Sequence, residues 1–218
     1  MCFSASASFT SAVVLLGVGI LTLKAVRHKR ELPIAAIPLL FAIQQLVEGV
    51  LWLTFSYEAP LLNFVMTHVY SFFSHVLWPA YVPFAVLMIE PQGWRRKGLL
   101  AFVVAGAAVG LYLLYFLAVF PVVSRPTGQH IEYVSPHFFA LEVMTFYLLS
   151  TTVSPMLSSH SMVKIFGVLA LLSFVAAYFF YAVWFISVWC FFAAILSLTL
   201  YVHVRQPRWK GIYPLRQG

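Results

Sequence analysis

Apolar residues fill this chain in blocks of roughly twenty, separated by short stretches of charge, proline or glycine. A helix needs about 20 mostly apolar residues to cross a bilayer. Seven such blocks are predicted, over about 6–26, 33–55, 62–89, 98–121, 137–158, 163–182 and 184–204. The first four have clear boundaries. The last two do not, because Ile165 to Val204 contains no Asp, Glu, Lys or Arg. A single helix of that length would run roughly 60 Å, about twice the hydrocarbon thickness, so the chain is expected to turn back near Tyr181–Phe185. No basic stretch precedes the first block and no cleavage signal follows it, so it is predicted as a span and not a signal peptide. The expected architecture is all-α: one transmembrane bundle of seven helices over residues 1–218, ending in a basic tail, 205–218, with no soluble domain.

Composition agrees with that pattern. The chain is 62% hydrophobic and 9% charged, against about 25% charged residues in soluble domains. The net charge of +7 would suggest nucleic acid if it were spread over a face, but it is confined to connections. One side of the predicted bundle holds Lys24, Arg27, Lys29, Arg30, Arg95, Arg96, Lys97, Lys164, Arg205, Arg208, Lys210 and Arg216; the other holds Arg125 alone. The positive-inside rule then sets the N-terminus outside and the C-terminus in the cytoplasm. A six-span count would put the basic tail on the wrong side. The expected partners are the bilayer and anionic lipid head groups at the cytoplasmic face, not nucleic acid. The two cysteines, Cys2 and Cys190, form no disulfide framework.

Ionisable and polar residues inside spans are costly and default to a functional reading. The second span carries Gln44, Gln45 and Glu48, with Gln44 and Glu48 sharing a helix face. The third carries His68, Ser71 and His75 on one stripe. Glu142 stands near the start of the fifth span, and Ser187 and Cys190 lie in the seventh. By depth, Glu48, His68, Glu142, Ser187 and Cys190 fall in the outer half, with His75 near the midplane and Cys2, Ser4 and Ser6 opening the first span from the same side. A thiolate, imidazoles and a carboxylate suit a divalent metal, zinc or copper. The candidate ligand set is Cys2, Glu48 and His75, with His68 next, since two histidines about 10 Å apart on a straight helix cannot share one ion. Glu48 and His75 are the candidate catalytic residues, and Trp52, Trp78 and Cys190 the candidate lining for a cofactor. Gln44 and Gln45 are expected to act as interhelical hydrogen-bonding residues.

The opening M-C-F-S-A, the stretch Q-Q-L-V-E-G-V-L-W (Gln44 to Trp52) and the stretch S-V-W-C-F-F-A-A (Ser187 to Ala194) resemble an uncharacterised family of bacterial and archaeal integral membrane proteins, a domain of unknown function. The resemblance covers essentially the whole chain. It implies location in the cytoplasmic membrane of a prokaryote and no activity, and it draws attention to Cys2, Ser4, Glu48, Trp52, Trp189 and Cys190. The lysine that a retinal-binding opsin carries in its last span is missing, as are the last-span histidines of the alkaline ceramidase-like hydrolases. Three functions are therefore expected in this order: a metal, cofactor or catalytic site in the outer half; a small-solute or proton-coupled carrier using Glu48, His68 and His75; and a helical subunit of a membrane complex without chemistry of its own.

Overall fold

The computed structural model describes residues 4–91, 93–180 and 185–205. Helix α1 covers Ala5–Ala25. A short 3-10 turn, Lys29–Glu31, leads through α2, Leu32–Ala35, into α3, Ile37–Ser56. Helix α4, Pro60–Ser71, continues through a π-helical segment, Phe72–Leu77, into α5, Trp78–Ile89. Helix α6 is Trp94–Val119. After a β-hairpin and a 3-10 turn, Pro136–Phe139, α7 (Leu141–Leu148) passes through a second π segment, Leu149–Val153, into α8, Ser154–Met156. Helices α9 (Ser161–Phe180), α10 (Phe185–Leu196) and α11 (Leu198–Arg205) complete the bundle.

Among the described residues, five helical runs are long and apolar enough to cross a membrane: Ala5–Ala25, Lys29–Ser56, Pro60–Ile89, Trp94–Val119 and Ser161–Phe180. The predicted fifth span is shorter than expected. Its helix begins at Leu141, because Pro136–Phe139 forms a tight 3-10 turn. The expected turn at Tyr181–Phe185 falls largely on 181–184, outside the described residues. On either side of it α9 and α10 pack together, and the Trp189 indole donates to the Ala170 carbonyl at 3.3 Å.

The two π segments share a cause. Each ends two residues before a proline, Pro79 or Pro155. Proline has no N–H and its ring crowds the carbonyl four residues back, so the hydrogen-bond ladder upstream shifts. Neighbouring helices close on the backbone of these segments through glycine. A Cβ added to Gly106 of α6 would lie 1.8 Å from the Pro79 carbonyl oxygen, one on Gly110 2.9 Å from that of Val76, and one on Gly167 of α9 2.8 Å from that of Thr152. Backbone meets backbone there, the mode of helix packing that small residues permit in membranes.

Helix α1 packs on α3 along Ser8, Ala12, Leu15, Gly19 and Thr22. Ser4 caps it by accepting the Ala7 N–H at 3.2 Å. In the N-terminal stretch Ser4 thus starts the helix and Ser8 lies on its buried face.

The connection over 122–136 is built around a hairpin. Strand β1, Val123–Thr127, pairs antiparallel with β2, His130–Val134, in the register Thr127↔His130 to Val123↔Val134. Gly128, at φ +63, supplies the positive φ of the two-residue turn. The hairpin is sewn to the bundle. Thr67 donates to Ser124 at 2.7 Å and Ser124 to the Asn63 Oδ1 at 3.2 Å. The Asn63 amide donates to Thr54 at 2.8 Å, and Thr54 to the Leu51 carbonyl at 2.6 Å. Tyr70 and Tyr133 stack at 4.5 Å.

Candidate functional site at the hairpin end

The connections gather at two ends. At the basic end, Glu90 is buried. It accepts the Ser158 hydroxyl at 3.0 Å and the Ser159 N–H at 2.9 Å. His160 donates to the Ile89 carbonyl at 3.2 Å and its ring lies 5.0 Å from that of His203. Arg96 donates to the carbonyls of Leu87 and Glu90. Glu31 caps its own turn by accepting the Arg27 N–H at 2.8 Å. Buried Glu90 and Glu31 were not singled out in the sequence, because each sits beside basic residues in what reads as a loop.

At the hairpin end, His75 is the centre. Pro79 places it inside the π segment, and Ser135, in the connection after the hairpin, reaches its ring. Both ring nitrogens are engaged: Nδ1 lies 2.7 Å from the Ser74 hydroxyl and Nε2 lies 3.0 Å from the Ser135 hydroxyl. The Ser74 hydroxyl has one proton and directs it at the Ser71 carbonyl, 3.3 Å away. With its proton on that carbonyl the Ser74 hydroxyl accepts an Nδ1–H, and in that tautomer Nε2 is the acceptor for Ser135. The Tyr147 hydroxyl donates to the Ser74 carbonyl, and the Phe138 ring packs 4.6 Å from the imidazole. His75 is 2% exposed and Ser135 9%.

His75 and Ser135 form part of the wall of a cavity of about 190 Å³, shared with His137 and lined on its other sides by Leu113, Phe116 and Leu117 of α6, by Phe120 just past its end, and by Val123 and Val134 of the hairpin. One water needs about 10–15 Å³ of such space, so the cavity admits a molecule or a segment of one. His137 lies flat on Phe116, ring centres 3.8 Å apart. At the hairpin tip, burial holds the His130 imidazole below its ordinary value of 6.5.

The other candidate residues lie elsewhere. Glu48 is buried and accepts from the Gln45 amide at 3.3 Å; it is not among the partners of His75. His68 donates to the carbonyl of Phe64, one turn back, at 2.8 Å, and rests on the ring of that residue. Trp78 is buried, stacked on Phe41 at 4.0 Å, and donates to the Gln44 Oε1 at 2.7 Å. It borders a void of about 30 Å³ with Tyr147 and Trp189, too small for a planar cofactor. Trp52 lies edge-on to Phe55. The Gln44 amide nitrogen, the Gln45 Oε1 and the Trp52 Nε1 are buried without a hydrogen-bond partner among the described residues. Glu142 is exposed in the first turn of α7. Cys2 and the side chains of Ser187 and Cys190 lie outside the described residues.

Among the described residues, no three His, Cys, Asp or Glu side chains come together to hold a metal ion. Both nitrogens of His75 have hydroxyl partners and His68 is turned to its own helix, while Cys2 of the expected zinc or copper ligand set lies outside the described residues. Sequence reasoning found His75 but not Ser135. The signal available was weak: a serine before proline and histidine, in a connection whose fold the sequence did not show.

A bundle of membrane-length helices, closed at one end by a hairpin over a histidine-lined cavity, defines the class of protein. The chain matches a family of unknown function (DUF6629) over residues 1–212 and belongs to it. No curated protein and no solved structure matches it.

Proposed function

We propose that this is a seven-span membrane protein, N-terminus outside and C-terminus cytoplasmic, with a one-sided site in its outer half where His75 acts as the proton acceptor toward a molecule held in the hairpin-end cavity. The span count and orientation rest on the twelve-to-one division of Lys and Arg. They also rest on the helical pairs α7–α8 and α10–α11, which complement the five longer runs. The single observation that carries the catalytic reading is the Ser74–His75–Ser135 chain. A buried imidazole has a hydroxyl on each ring nitrogen, one of them in a cavity wall, and the tautomer with Nε2 unprotonated is the arrangement general base catalysis needs.

The test is 15N NMR of histidine-labelled protein in lipid nanodiscs, with His75→Gln to assign the signal. At neutral pH, Nε2 of His75 is expected to show the shift of an unprotonated ring nitrogen and Nδ1 that of a protonated one. The reverse assignment removes the acceptor reading. A carrier reading draws on Glu90, His160 and His203, which give the basic end a buried ionisable set. Glu90, however, is engaged in clamping the α8–α9 connection, the work of a structural residue.

A further inference from the structure

The same cavity contains a nucleophile as well as a base. Resting on the acceptor role of His75, we infer that Ser135 is the catalytic nucleophile of an acyl-ester hydrolase or acyltransferase site. Its substrate is the ester of an apolar acyl chain, delivered from membrane lipid in the outer half of the bilayer. Three observations converge. The Ser135 Oγ is 3.0 Å from the basic nitrogen of His75, within the reach of about 2.6–3.2 Å expected of a serine and its base. The base is itself oriented by a third group, Ser74, at 2.7 Å. Apart from His75, Ser135 and His137 the wall is apolar, and its rim residues Phe120, Val123 and Val134 are 50%, 46% and 39% exposed.

That rim identifies the source of the substrate. Phe120 stands just past the end of α6 and Val123 begins the hairpin, so the mouth lies where the apolar span meets the outer interface. Large apolar side chains exposed there face lipid at no cost, and an acyl chain can enter sideways without crossing water. A water-soluble ester would meet the same nucleophile but would gain nothing from this rim.

The chemistry balances without a cofactor. The Ser135 Oγ attacks the ester carbonyl carbon and its proton passes to the His75 Nε2. The carbonyl oxygen takes the negative charge, and His137 is the other polar side chain on that cavity wall. The ester C–O bond then breaks and the leaving alcohol takes the proton from His75. Water attacks the Ser135 acyl ester, gives its proton to His75, and releases the acid as that proton returns to the Ser135 oxygen. Ester and water become acid and alcohol, and nothing is oxidised. A second alcohol in place of water makes the step a transfer. Ser74 touches no reacting atom and is a positioning residue.

The experiment uses full-length protein in nanodiscs and an alkyl fluorophosphonate, which forms a P–O bond with an activated serine as fluoride leaves. One label per chain is expected, mapped to Ser135 by mass spectrometry and absent in Ser135→Ala. In His75→Gln, labelling should slow about 10²-fold or more, the lower range of general base catalysis. Val134→Trp narrows the mouth at a half-exposed position without touching the pair, and should slow labelling while leaving the fold intact. It keeps the test open if Ser135→Ala does not fold. No label on Ser135, or a rate indifferent to His75→Gln, overturns the nucleophile. If the His75 tautomer is as expected in that case, the acceptor role survives it. Turnover is then followed with a fluorescent phospholipid in vesicles and with p-nitrophenyl butyrate. Cleavage of the phospholipid supports the assignment. Cleavage of the soluble ester alone overturns the lipid source, and labelling without turnover of either overturns the ester class.

Discussion

A buried indole in an apolar bundle must spend its one N–H somewhere, and Trp78 spends it on Gln44, a residue on a different span. Interhelical hydrogen bonds in membranes are worth about 0.6 kcal/mol on average and about 1.7 at most. A double-mutant cycle with Trp78→Phe and Gln44→Leu, read by thermal unfolding in detergent, should therefore give a coupling of about 0.5–2 kcal/mol. Strict additivity would show that the pair contributes only volume. The sequence made Gln44 legible as an interhelical contact, because an amide in a span has few alternatives to a polar group on another helix. It did not make the partner legible, because any of several aromatic or hydroxyl residues at that depth would serve. His75 was legible for the same reason, and Ser135 was not, since its importance comes wholly from a contact sixty residues away. Glu48 shows the converse: its place in a span is legible, but its hydrogen bond with Gln45 is not.

Among elements, the two π segments do most to shape the bundle. Prolines at 79 and 155 follow the two segments, and glycines on α6 and α9 allow the next helix to close onto the backbone beside them. Gly106→Ala would push a methyl to 1.8 Å from the Pro79 oxygen, a backbone atom that cannot swing aside. Overpacking of this kind costs about 1–3 kcal/mol, so its unfolding temperature in detergent should fall well below that of wild type. Gly17 faces open space, and Gly17→Ala should match wild type or gain up to about 1 kcal/mol from helix propensity. Equal effects at the two positions would refute the close-packing account. The prolines are visible in the sequence. The direction in which His75 points is not, because the shift from α to π rotates the residues around it by an amount that depends on the neighbouring helix. The hairpin escaped notice because Thr-Gly-Gln-His is a modest turn signal between strands of five residues.

At the scale of the whole molecule the division of charge dominates. Lys97 and Gln129 are both exposed, at opposite ends of the bundle. In a background lacking Cys2 and Cys190, Gln129→Cys should react with a membrane-impermeant maleimide on intact cells, and Lys97→Cys only after the membrane is broken. Labelling of both from the same side would refute the seven-span topology.

The sequence by itself determined that the chain is mostly helical, with helices apolar and long enough to cross a membrane, and where most of those helices lie. Those properties follow from local sums: about twenty apolar residues are enough to make a span. Only the tertiary structure decided that Ser135 meets His75, that Glu48 does not, and that a hairpin and the end of α6 enclose a cavity beside them. Such pairings depend on helix rotation and on a connection folding back, where displacements of an ångström or two decide whether a hydrogen bond exists, and no local pattern in the sequence encodes them.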